Sequence, residues 1–317
     1  MSLEFLDQKR PLHSSAATGT SEMPANANLG LWFAKFGPLW KNDGRDCKYD
    51  KRILANGFGN SRNGIPVGVA HELTESCARI RTLTKAVGGI CEIYQTRKPF
   101  TSGLGIAHPS EIGFLWHHTL GVPYVPGSGI KGMLRAYVEE WLAPQPARED
   151  ILDALGAKDD RSHTQGGLIT FLDALPCGPP HVFADIMNPH RRSFHATNPA
   201  WPVDWQQPFP LNFLAVARAQ EFQFAIIPSM RCLRMPTNAN DSPAMTNRVS
   251  SLLDKCADWL QGALSKTGAG AKTLKGYGRF KHLRTEVARD QTRMLHAPCQ
   301  KLRGNERCEG SQTAPPE

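Results

Sequence analysis

The chain has 317 residues, 40% of them hydrophobic and 21% charged, so it is long enough to bury a substantial core in one large domain or two small ones. This composition excludes a disordered or fibrous chain, and since no run approaches the roughly 18 apolar residues of a membrane-spanning helix, we expect no membrane segment. Lysine and arginine exceed aspartate and glutamate by 37 to 29, and the formal charge of +8 is compatible with nucleic-acid binding without establishing it.

Eight cysteines are spread along the chain without a C-x-x-C pair. Glu4 and Asp7 stand where a secretory signal peptide would have its apolar segment. We therefore expect reduced thiols in a cytoplasmic protein rather than a disulfide framework. His71 begins a His-Glu-x-x-Glu sequence that lacks the second histidine of the zinc motif H-E-x-x-H, and we expect neither a metal nor another cofactor.

The first third of the chain divides into an arm and an extension. Residues 1–29 are rich in small and polar residues without periodicity, which predicts a mobile arm, and residues 30–89 form an N-terminal extension. Within the extension, the apolar run over residues 31–40 either packs on the main domain or docks on a neighbouring chain. The polar, basic residues 41–66 predict a solvated loop, with an arm that follows phosphates as the alternative.

Apolar spacing predicts the next elements. A helix is predicted over residues 71–87, a strand over residues 91–100 and a second helix over residues 128–142. Residues 143–166 then predict a surface insertion.

The remaining elements complete a recognisable order. Further strands and one long helix are predicted at residues 168–175, 182–187, 211–216, 222–227, 246–264 (the helix) and 277–283. Over residues 90–285 this order of strands and helices matches an α+β, ferredoxin-like fold, in which two helices lie on one face of an antiparallel sheet. RRM-type modules use such a sheet as their RNA-binding platform. A polar, mobile tail is predicted over residues 286–317.

The loop before the second helix has the composition of an anion-binding turn. Residues 123–135 read PYVPGSGIKGMLR, in which Ser128 is a good N-cap for the helix that follows. The free N–H groups of a helix start carry the positive end of the helix dipole and favour a phosphate. Lys131 and Arg135 lie one turn apart and can flank the same anion. A capped core helix with two solvated cations is the alternative.

A second glycine-rich stretch lies near the end of the chain. Residues 268–280 read GAGAKTLKGYGRF, with two Gly-x-Gly pairs and interleaved cations. Glycine admits unusual backbone dihedrals and leaves no Cβ in the way of a ligand. The stretch predicts a loop pressed against a polyanion, and a flexible turn before the last strand is the alternative. Its candidate contact residues are Gly268, Gly270, Lys272, Lys275, Gly276, Gly278 and Arg279.

Together the two stretches resemble the paired signatures of the RAMP superfamily of CRISPR proteins. Between them, residues 167–174 (GLITFLDA) and 185–190 (DIMNPH) resemble the sixth RAMP subunits of type III-B (Cmr) effector complexes. The resemblance covers residues 103–280. The chain departs from the pattern at Gly129, where a second serine is usual, and in its long N-terminal extension.

The resemblance implies the ferredoxin-like fold and a non-catalytic subunit in antiviral defence. Such a subunit would bind the 3′ part of the guide RNA, contact the target RNA and assemble with other RAMP subunits. Contacts to phosphate and ribose would suit a protein that accepts many guides. The implied RNA-binding residues are Ser128, Gly129, Lys131 and Arg135, the glycine-rich stretch, and His190, Arg191 and Arg192.

A RAMP-type endoribonuclease acting on CRISPR RNA is the nearest rival interpretation. His117, His118 or His190 would activate a ribose 2′-hydroxyl or protonate the leaving oxygen. Arg191, Arg192 or Lys131 would then stabilise the charge of the phosphorane. His190 follows an Asn-Pro turn signal, which favours a loop histidine bonded to backbone, so we expect no catalytic residue.

A serine hydrolase is a remote alternative. Ser128 and Lys131 match the S-x-x-K motif of penicillin-recognising enzymes, and residues 266–268 match their K-T-G motif. The S-D-N element is missing, because residues 240–242 read in the reverse order, and K-T-G ends a predicted helix instead of lying on a strand. Short motifs of this length arise by chance, and we discount this interpretation.

Overall fold

The structure is a computed structural model. It describes residues 28–33, 40–42, 47–49, 58, 62–108, 112–157, 166–188, 210–230, 232 and 242–287. The predicted arm and the predicted tail lie outside these residues except at residues 28–29 and 286–287.

The three predicted helices are present in the described ranges, and so are short strands in residues 40–66, where a loop was predicted, and a helix in the predicted insertion. The helices are α1 (Leu29–Leu31), α2 (Ala70–Ala86), α3 (Gly127–Glu140), α4 (Arg148–Leu155) and α5 (Ser242–Lys266), with a 3₁₀ turn at Thr273–Lys275. The strands are β1 (Trp40–Asn42), β2 (Cys47–Tyr49), β3 (Ile65–Pro66), β4 (Ile90–Thr96), β5 (Ile169–Phe171), β6 (Leu175–Pro176), β7 (His181–Met187), β8 (Leu211–Val216), β9 (Glu221–Pro228) and β10 (Phe280–Val287).

The main sheet has the ferredoxin-like strand order. Its strands run β10-β4-β9-β5, every neighbouring pair is antiparallel, and β6 also pairs with β9. Helix α3 lies between β4 and β5 in the chain, and α5 lies between β9 and β10. The predicted α+β fold is confirmed by this order.

One face of the sheet is aromatic and packs under α3 and α5. The Tyr94 and Phe224 rings lie 5.3 Å apart, and the Phe222 and Phe280 rings lie 5.8 Å apart. These side chains share one core with buried residues of both helices, such as Leu134 of α3. Period-two alternation along each strand brings them to the same face, which positions α3 and its preceding loop at the edge of the core.

Helix α2 of the N-terminal extension lies on the opposite face. Gln223 pairs in register with Ile93, so its side chain points away from the aromatic face. Its amide donates a 3.1 Å hydrogen bond to the Cys77 carbonyl of α2 and accepts one of 3.1 Å from Arg81. The face that RRM-type modules offer to RNA is therefore covered by the chain's own helix.

A second sheet is inserted between β6 and β9. Strands β7 and β8 pair antiparallel, and β3 pairs with β7. The predicted strands at residues 211–216 and 222–227 are consecutive in the chain but do not pair with each other, because β8 pairs with β7 and β9 lies in the main sheet. The link between β8 and β9 changes sheets at Ala219, whose φ of 62° turns the chain sharply.

The predicted surface insertion contains a packed helix. Ala154 and Leu155 of α4 are buried in the main core, so the chain between residues 148 and 155 is part of the fold rather than an appendage. The Asp150 carboxylate receives Arg248 and Lys255 of α5, each at 2.7 Å. The polar residues that led to the prediction of a surface insertion include Asp150, which forms these ion pairs with α5.

The apolar run near the N-terminus packs on the main domain where it is described. Trp32 and Phe33 are buried, and the Phe33 ring lies 4.1 Å from the His108 ring and 5.9 Å from that of Trp116. The first of the two predicted alternatives, packing on the main domain, is confirmed for Trp32 and Phe33, while Leu31 is exposed. The rest of the run, residues 34–39, lies outside the described residues.

Candidate nucleic-acid interface

Helix α3 begins one residue earlier than predicted and takes its cap from another element. Its N-cap is Pro126, which provides no side-chain cap, and the Gly127 N–H donates a 2.7 Å hydrogen bond to Oδ1 of Asp173. The prediction that Ser128 is the N-cap was therefore wrong. A Cβ on Gly127 would lie 2.1 Å from the Phe171 carbonyl oxygen, so only glycine lets the chain enter the helix this close to β5.

Asp173 is held at the helix start by a short backbone ladder. Val125 and the neighbouring Ala174 exchange two backbone hydrogen bonds of 3.1 and 2.8 Å. The sequence analysis missed Asp173, because its role depends on two segments that are distant in the chain. The carboxylate is an exposed negative charge beside the predicted anion site.

Two backbone donors remain at the start of α3. The Ile130 N–H donates to the Pro126 carbonyl, the first hydrogen bond of the helix. Ser128 and Gly129 precede it, so their N–H groups have no acceptor within the helix, and both residues are exposed. The positive end of the helix dipole adds to these donors. This helix start can therefore receive one anionic oxygen next to Asp173.

The two cations of α3 have different surroundings. Lys131 is half-buried, and burial together with the charge of Arg135 lowers the pKa of Lys131. Arg135 donates 2.8 Å hydrogen bonds to the carbonyls of Leu155 and Gly156, and its side chain is only 15% exposed. Arg135 therefore caps the C-terminus of α4, and Lys131 is the more available of the two.

The glycine-rich loop, residues 268–279, is closed by backbone contacts that require its glycines. Gly268, Gly270, Gly276 and Gly278 all have positive φ, between 69° and 89°. A Cβ on Gly278 would lie 1.8 Å from the Ala269 carbonyl oxygen, and the two residues are joined by a 2.8 Å backbone hydrogen bond. The loop is thus a fixed turn, in contrast to the flexible turn that was its alternative.

The glycine-rich loop, like α3, has one cation that packs against the protein and one that is more available to a ligand. The Lys272 ammonium lies 4.0 Å from the centre of the Phe213 ring and 5.3 Å from that of Tyr277, while Lys275 is exposed. Nη1 of Arg279 is buried with no hydrogen-bond partner. Lys272 therefore binds the loop to β8, and Lys275 faces solvent.

Tyr277 anchors the other side of the loop to the inserted sheet. Its hydroxyl donates to Oδ2 of Asp185 on β7. Burial and this carboxylate raise the pKa of Tyr277, and the nearby Arg62 of the N-terminal extension opposes them. The basic residues 41–66, predicted as a solvated loop or an arm that follows phosphates, thus place one exposed arginine near the loop.

Residues 99–102 bring the two loops together. The Pro99 carbonyl accepts from the Gly278 N–H and the Thr101 carbonyl from the Ala271 N–H, both at 2.7 Å. The adjacent Ser102 hydroxyl donates to the carbonyl of Tyr124, at 3.5 Å, in the loop that leads into α3. The two stretches that are far apart in sequence therefore lie on either side of one short segment.

The sequence around the glycine-rich loop carries positive charge, although Arg284 within it pairs with Glu221 and Glu286. Between Ser265 and Thr285 the chain has six lysine or arginine residues and no acidic residue. Such a stretch attracts a polyanion. The negative charges of Asp173, at the start of α3, and Asp185, on β7, lower the positive electrostatic potential near those two residues.

The structure describes two of the three histidines proposed for the nuclease alternative. Nδ1 of His117 accepts the Leu120 N–H at 3.3 Å and contacts the Thr119 hydroxyl at 3.1 Å, and burial lowers the pKa of His117. His118 is exposed, and its carbonyl accepts from Asn28. His190, Arg191 and Arg192 lie outside the described residues.

The K-T-G sequence of the serine-hydrolase alternative does not lie on a strand. Lys266 is the last residue of α5, and the Thr267 hydroxyl donates 2.8 Å to the Ala263 carbonyl of that helix. The K-T-G sequence therefore ends a helix, as predicted. Within the described ranges, no group of three or more His, Cys, Asp or Glu side chains is arranged to hold a metal ion. The helices described there are all too short or too polar to span a membrane.

Comparison with known proteins identifies relatives. The family model described as the RAMP superfamily matches residues 38–281. The chain is 24% identical over 243 residues to the CRISPR system Cmr subunit Cmr6 of Pyrococcus furiosus, a match covering 59% of this chain and 66% of that protein. It is 26% identical over 172 residues to the Cmr6 subunit of Saccharolobus solfataricus, covering 54% of this chain and 48% of that protein. The chain thus spans less than two thirds of the length of either relative.

The fold also occurs in a solved structure. A chain in the cryo-EM structure of the type III-B Cmr-beta complex bound to cognate target RNA matches with a TM-score of 0.51 and 19% sequence identity. The match covers 70% of this chain and 69% of that chain. At this identity the likeness speaks for the architecture described above.

Proposed function

Because this chain belongs to the RAMP superfamily, we propose that it is a non-catalytic, RNA-binding and assembly subunit of a type III-B CRISPR (Cmr) effector complex. It binds the 3′ part of the guide RNA, contacts the target RNA and packs beside other RAMP subunits in the cytoplasm. Its similarity to two Cmr6 proteins supports the choice of complex. One observation carries the RNA-binding part: residues 99–102 hydrogen-bond both to the glycine-rich loop and to Tyr124 in the loop that leads into α3.

The backbone supplies most of the proposed contacts. The N–H groups of Ser128 and Gly129 receive a phosphate oxygen at the start of α3, and Lys131 adds a positive charge one turn later. In the glycine-rich loop, Gly276 leaves the backbone open to a ribose-phosphate strand, and Lys275 pairs with a phosphate. The absent Cβ of Gly270 instead makes room for the Thr101 carbonyl oxygen, so Gly270 shapes the loop. Contacts of this kind are independent of base sequence, as a subunit that accepts many guides requires.

The other predicted contacts act less directly. Arg135 contributes positive potential beside Lys131 while its guanidinium holds α4. Lys272 and Arg279 fix and charge the glycine-rich loop, whose turns Gly268 and Gly278 close. His190, Arg191 and Arg192 lie outside the described residues, and their proposed RNA contacts rest on the family resemblance. Arg62 adds a charge that sequence reasoning did not single out as a contact.

The covered sheet explains why these loops, and not the sheet face, are assigned to RNA. Helix α2 occupies the face opposite the aromatic core, and α3 and α5 occupy the other. Because both faces of the main sheet are covered by helices, RNA contacts are assigned to the loops and not to strand residues that would stack on bases. The proposed binding mode is backbone capture at the ends of elements rather than base stacking on a sheet.

RNA titrations of the purified full-length chain test the proposal. A fluorescent single-stranded RNA should bind with little sequence preference, and its affinity should fall steeply with salt. Lys131→Ala and Lys275→Ala should each weaken binding, whereas Lys85→Ala, an exposed lysine of α2 on the far side of the sheet, should not. Absence of salt-dependent binding would refute the proposal.

The same samples test the nuclease alternative. Intact RNA after long incubation, together with binding by the wild-type chain, supports the non-catalytic assignment. Cleavage that disappears in His118→Ala or His190→Ala would replace it with the endoribonuclease. Copurification with the products of neighbouring genes, followed by crosslinking to any bound small RNA, tests the assembly part.

A further inference from the structure

The tip of the glycine-rich loop presents a leucine to solvent. Leu274 is 98% exposed, whereas the next most exposed large hydrophobic side chain of the described residues, Trp141, is 59% exposed. A leucine with almost no neighbours gains nothing from the fold that presents it. Its side chain is therefore free for a contact outside this chain.

The turn that carries Leu274 is fixed, so the exposure does not result from a loose loop. Leu274 is the middle residue of the 3₁₀ turn Thr273–Lys275, whose ends are Lys272, with φ of 58°, and Gly276, with φ of 89°. The N–H groups of Lys275 and Gly276 donate 2.9 Å hydrogen bonds back to Lys272 and Thr273. Lysine rarely adopts this left-handed conformation, and such strain is common at binding sites.

The glycine-rich loop contacts the carboxylate of Asp185 through Tyr277, and the chain on either side of Leu274 is cationic. Lys275 follows it and is exposed, and no acidic residue occurs between Ser265 and Thr285. A lone apolar side chain among cations complements single-stranded nucleic acid, in which an apolar base face alternates with a charged phosphate. Leucine is also one of the side chains that nucleic-acid-binding proteins insert between neighbouring bases.

We propose that Leu274 is a wedge that packs against a base of the RNA strand held by the glycine-rich loop, while Lys275 pairs with the adjoining phosphate. This inference rests on the proposed function and adds a base contact to a site otherwise made of backbone and charge. The contact is apolar, so it is indifferent to base identity and changes how two neighbouring bases stack.

Substitutions at Leu274 test the wedge with little risk to the fold, because the side chain packs on nothing. The full-length chain is titrated with single-stranded RNA carrying 2-aminopurine at successive positions, a base whose fluorescence rises when it unstacks. Leu274→Ala should weaken binding about fivefold with an unchanged salt slope, and Leu274→Trp should tighten it about as much, because an aromatic side chain stacks better on a base. Lys275→Ala should instead lower the slope by about 0.7.

Leu83→Ala is the matched control, since Leu83 is 46% exposed on α2 at the far face of the sheet. The wild-type chain should raise the 2-aminopurine signal at one position, and Leu274→Ala should lose that rise while Leu83→Ala keeps it. Wild-type affinity and signal in Leu274→Ala would overturn the wedge but leave the proposed function standing. No RNA binding by the wild-type chain would overturn both. Normal RNA binding by Leu274→Ala with loss of copurifying subunits would assign Leu274 to a protein contact and overturn the wedge.

Discussion

Asp173 accepts a 2.7 Å hydrogen bond from the Gly127 N–H, so a carboxylate from the turn between β5 and β6 caps helix α3. The same carboxylate lies next to the N–H groups of Ser128 and Gly129, to which we assign an RNA phosphate. It stabilises the helix and opposes a second anion at the same place. The helix start is therefore less electropositive than its sequence indicates.

Replacing Asp173 separates its two effects. Asparagine keeps an acceptor oxygen for Gly127 and removes the charge, so Asp173→Asn should bind single-stranded RNA about two- to fivefold more tightly at low salt, with the gain shrinking as salt rises. Asp173→Ala also loses the cap and should lower the free energy of unfolding by about 0.5–2 kcal/mol. Anisotropy titrations and urea unfolding measure the two effects. Equal affinities of Asp173→Asn and wild type at low salt would move the phosphate away from this helix start.

The two lysines of the glycine-rich loop should respond in opposite ways to truncation. Burial lowers the pKa of Lys272, and its ammonium lies 4.0 Å from the Phe213 ring centre, so Lys272→Ala should lower the free energy of unfolding by about 0.5–2 kcal/mol. Lys275 is exposed, so Lys275→Ala should leave stability unchanged and weaken RNA binding. Urea unfolding and RNA titration of both variants provide the check. Equal stability of the two variants would mean that Lys272 does not tether the loop.

The sequence could predict the fold because its signals are local and periodic. The long helix α5 and the strands β4 and β9 repeat apolar residues at helical or alternating spacing over many residues. The partner of β8 could not be predicted in this way, because pairing with β7 or β9 satisfies the same alternation. The short helix α4 was also missed, because it has only eight residues and finds its partners, Arg248 and Lys255, in a distant helix.

The sequence could predict which glycines shape the candidate site, but not which side chains contact one another there. Positive φ at Gly268, Gly270, Gly276 and Gly278 follows from residue type, so the loop could be found from composition. Asp173 and residues 99–102 could not, because each contributes through contacts made only after folding. For the same reason Arg135 was assigned to an anion, although its guanidinium binds two carbonyls of α4.

Arg135 should prove more important for stability than for RNA. Lysine keeps the positive charge beside Lys131 but cannot reach the Leu155 and Gly156 carbonyls with the same planar group. Arg135→Lys should therefore lower the free energy of unfolding by about 1–3 kcal/mol, because two hydrogen bonds from a charged donor are lost. RNA affinity of the folded variant should change by less than about twofold, since the local charge is kept. A large loss of RNA affinity without loss of stability would restore Arg135 as a direct contact.

Acid should weaken the contact between α4 and α5 through Asp150. Arg248 and Lys255 each lie 2.7 Å from its carboxylate, and the hydrogen bond from Lys255 is the largest of the influences that lower the pKa of Asp150. Because the folded pKa is depressed, the stabilisation is fully present above the unfolded value of about 3.9 and is lost as the pH falls through the folded pKa. Asp150→Asn should lower the free energy of unfolding at pH 7 by about 1–3 kcal/mol, and its difference from wild type should shrink below about pH 4.

Urea unfolding of wild type and Asp150→Asn between pH 7 and pH 3 measures this change, with Glu140→Gln as a control for an exposed carboxylate. The control should follow the wild-type pH profile, because Glu140 lies at the solvent side of the end of α3. RNA affinity at pH 7 should be equal in the two folded variants, since neither carboxylate contacts the proposed interface. A difference in unfolding free energy between wild type and Asp150→Asn that stays constant down to pH 3 would show that the charge of Asp150 does not hold α4 to α5.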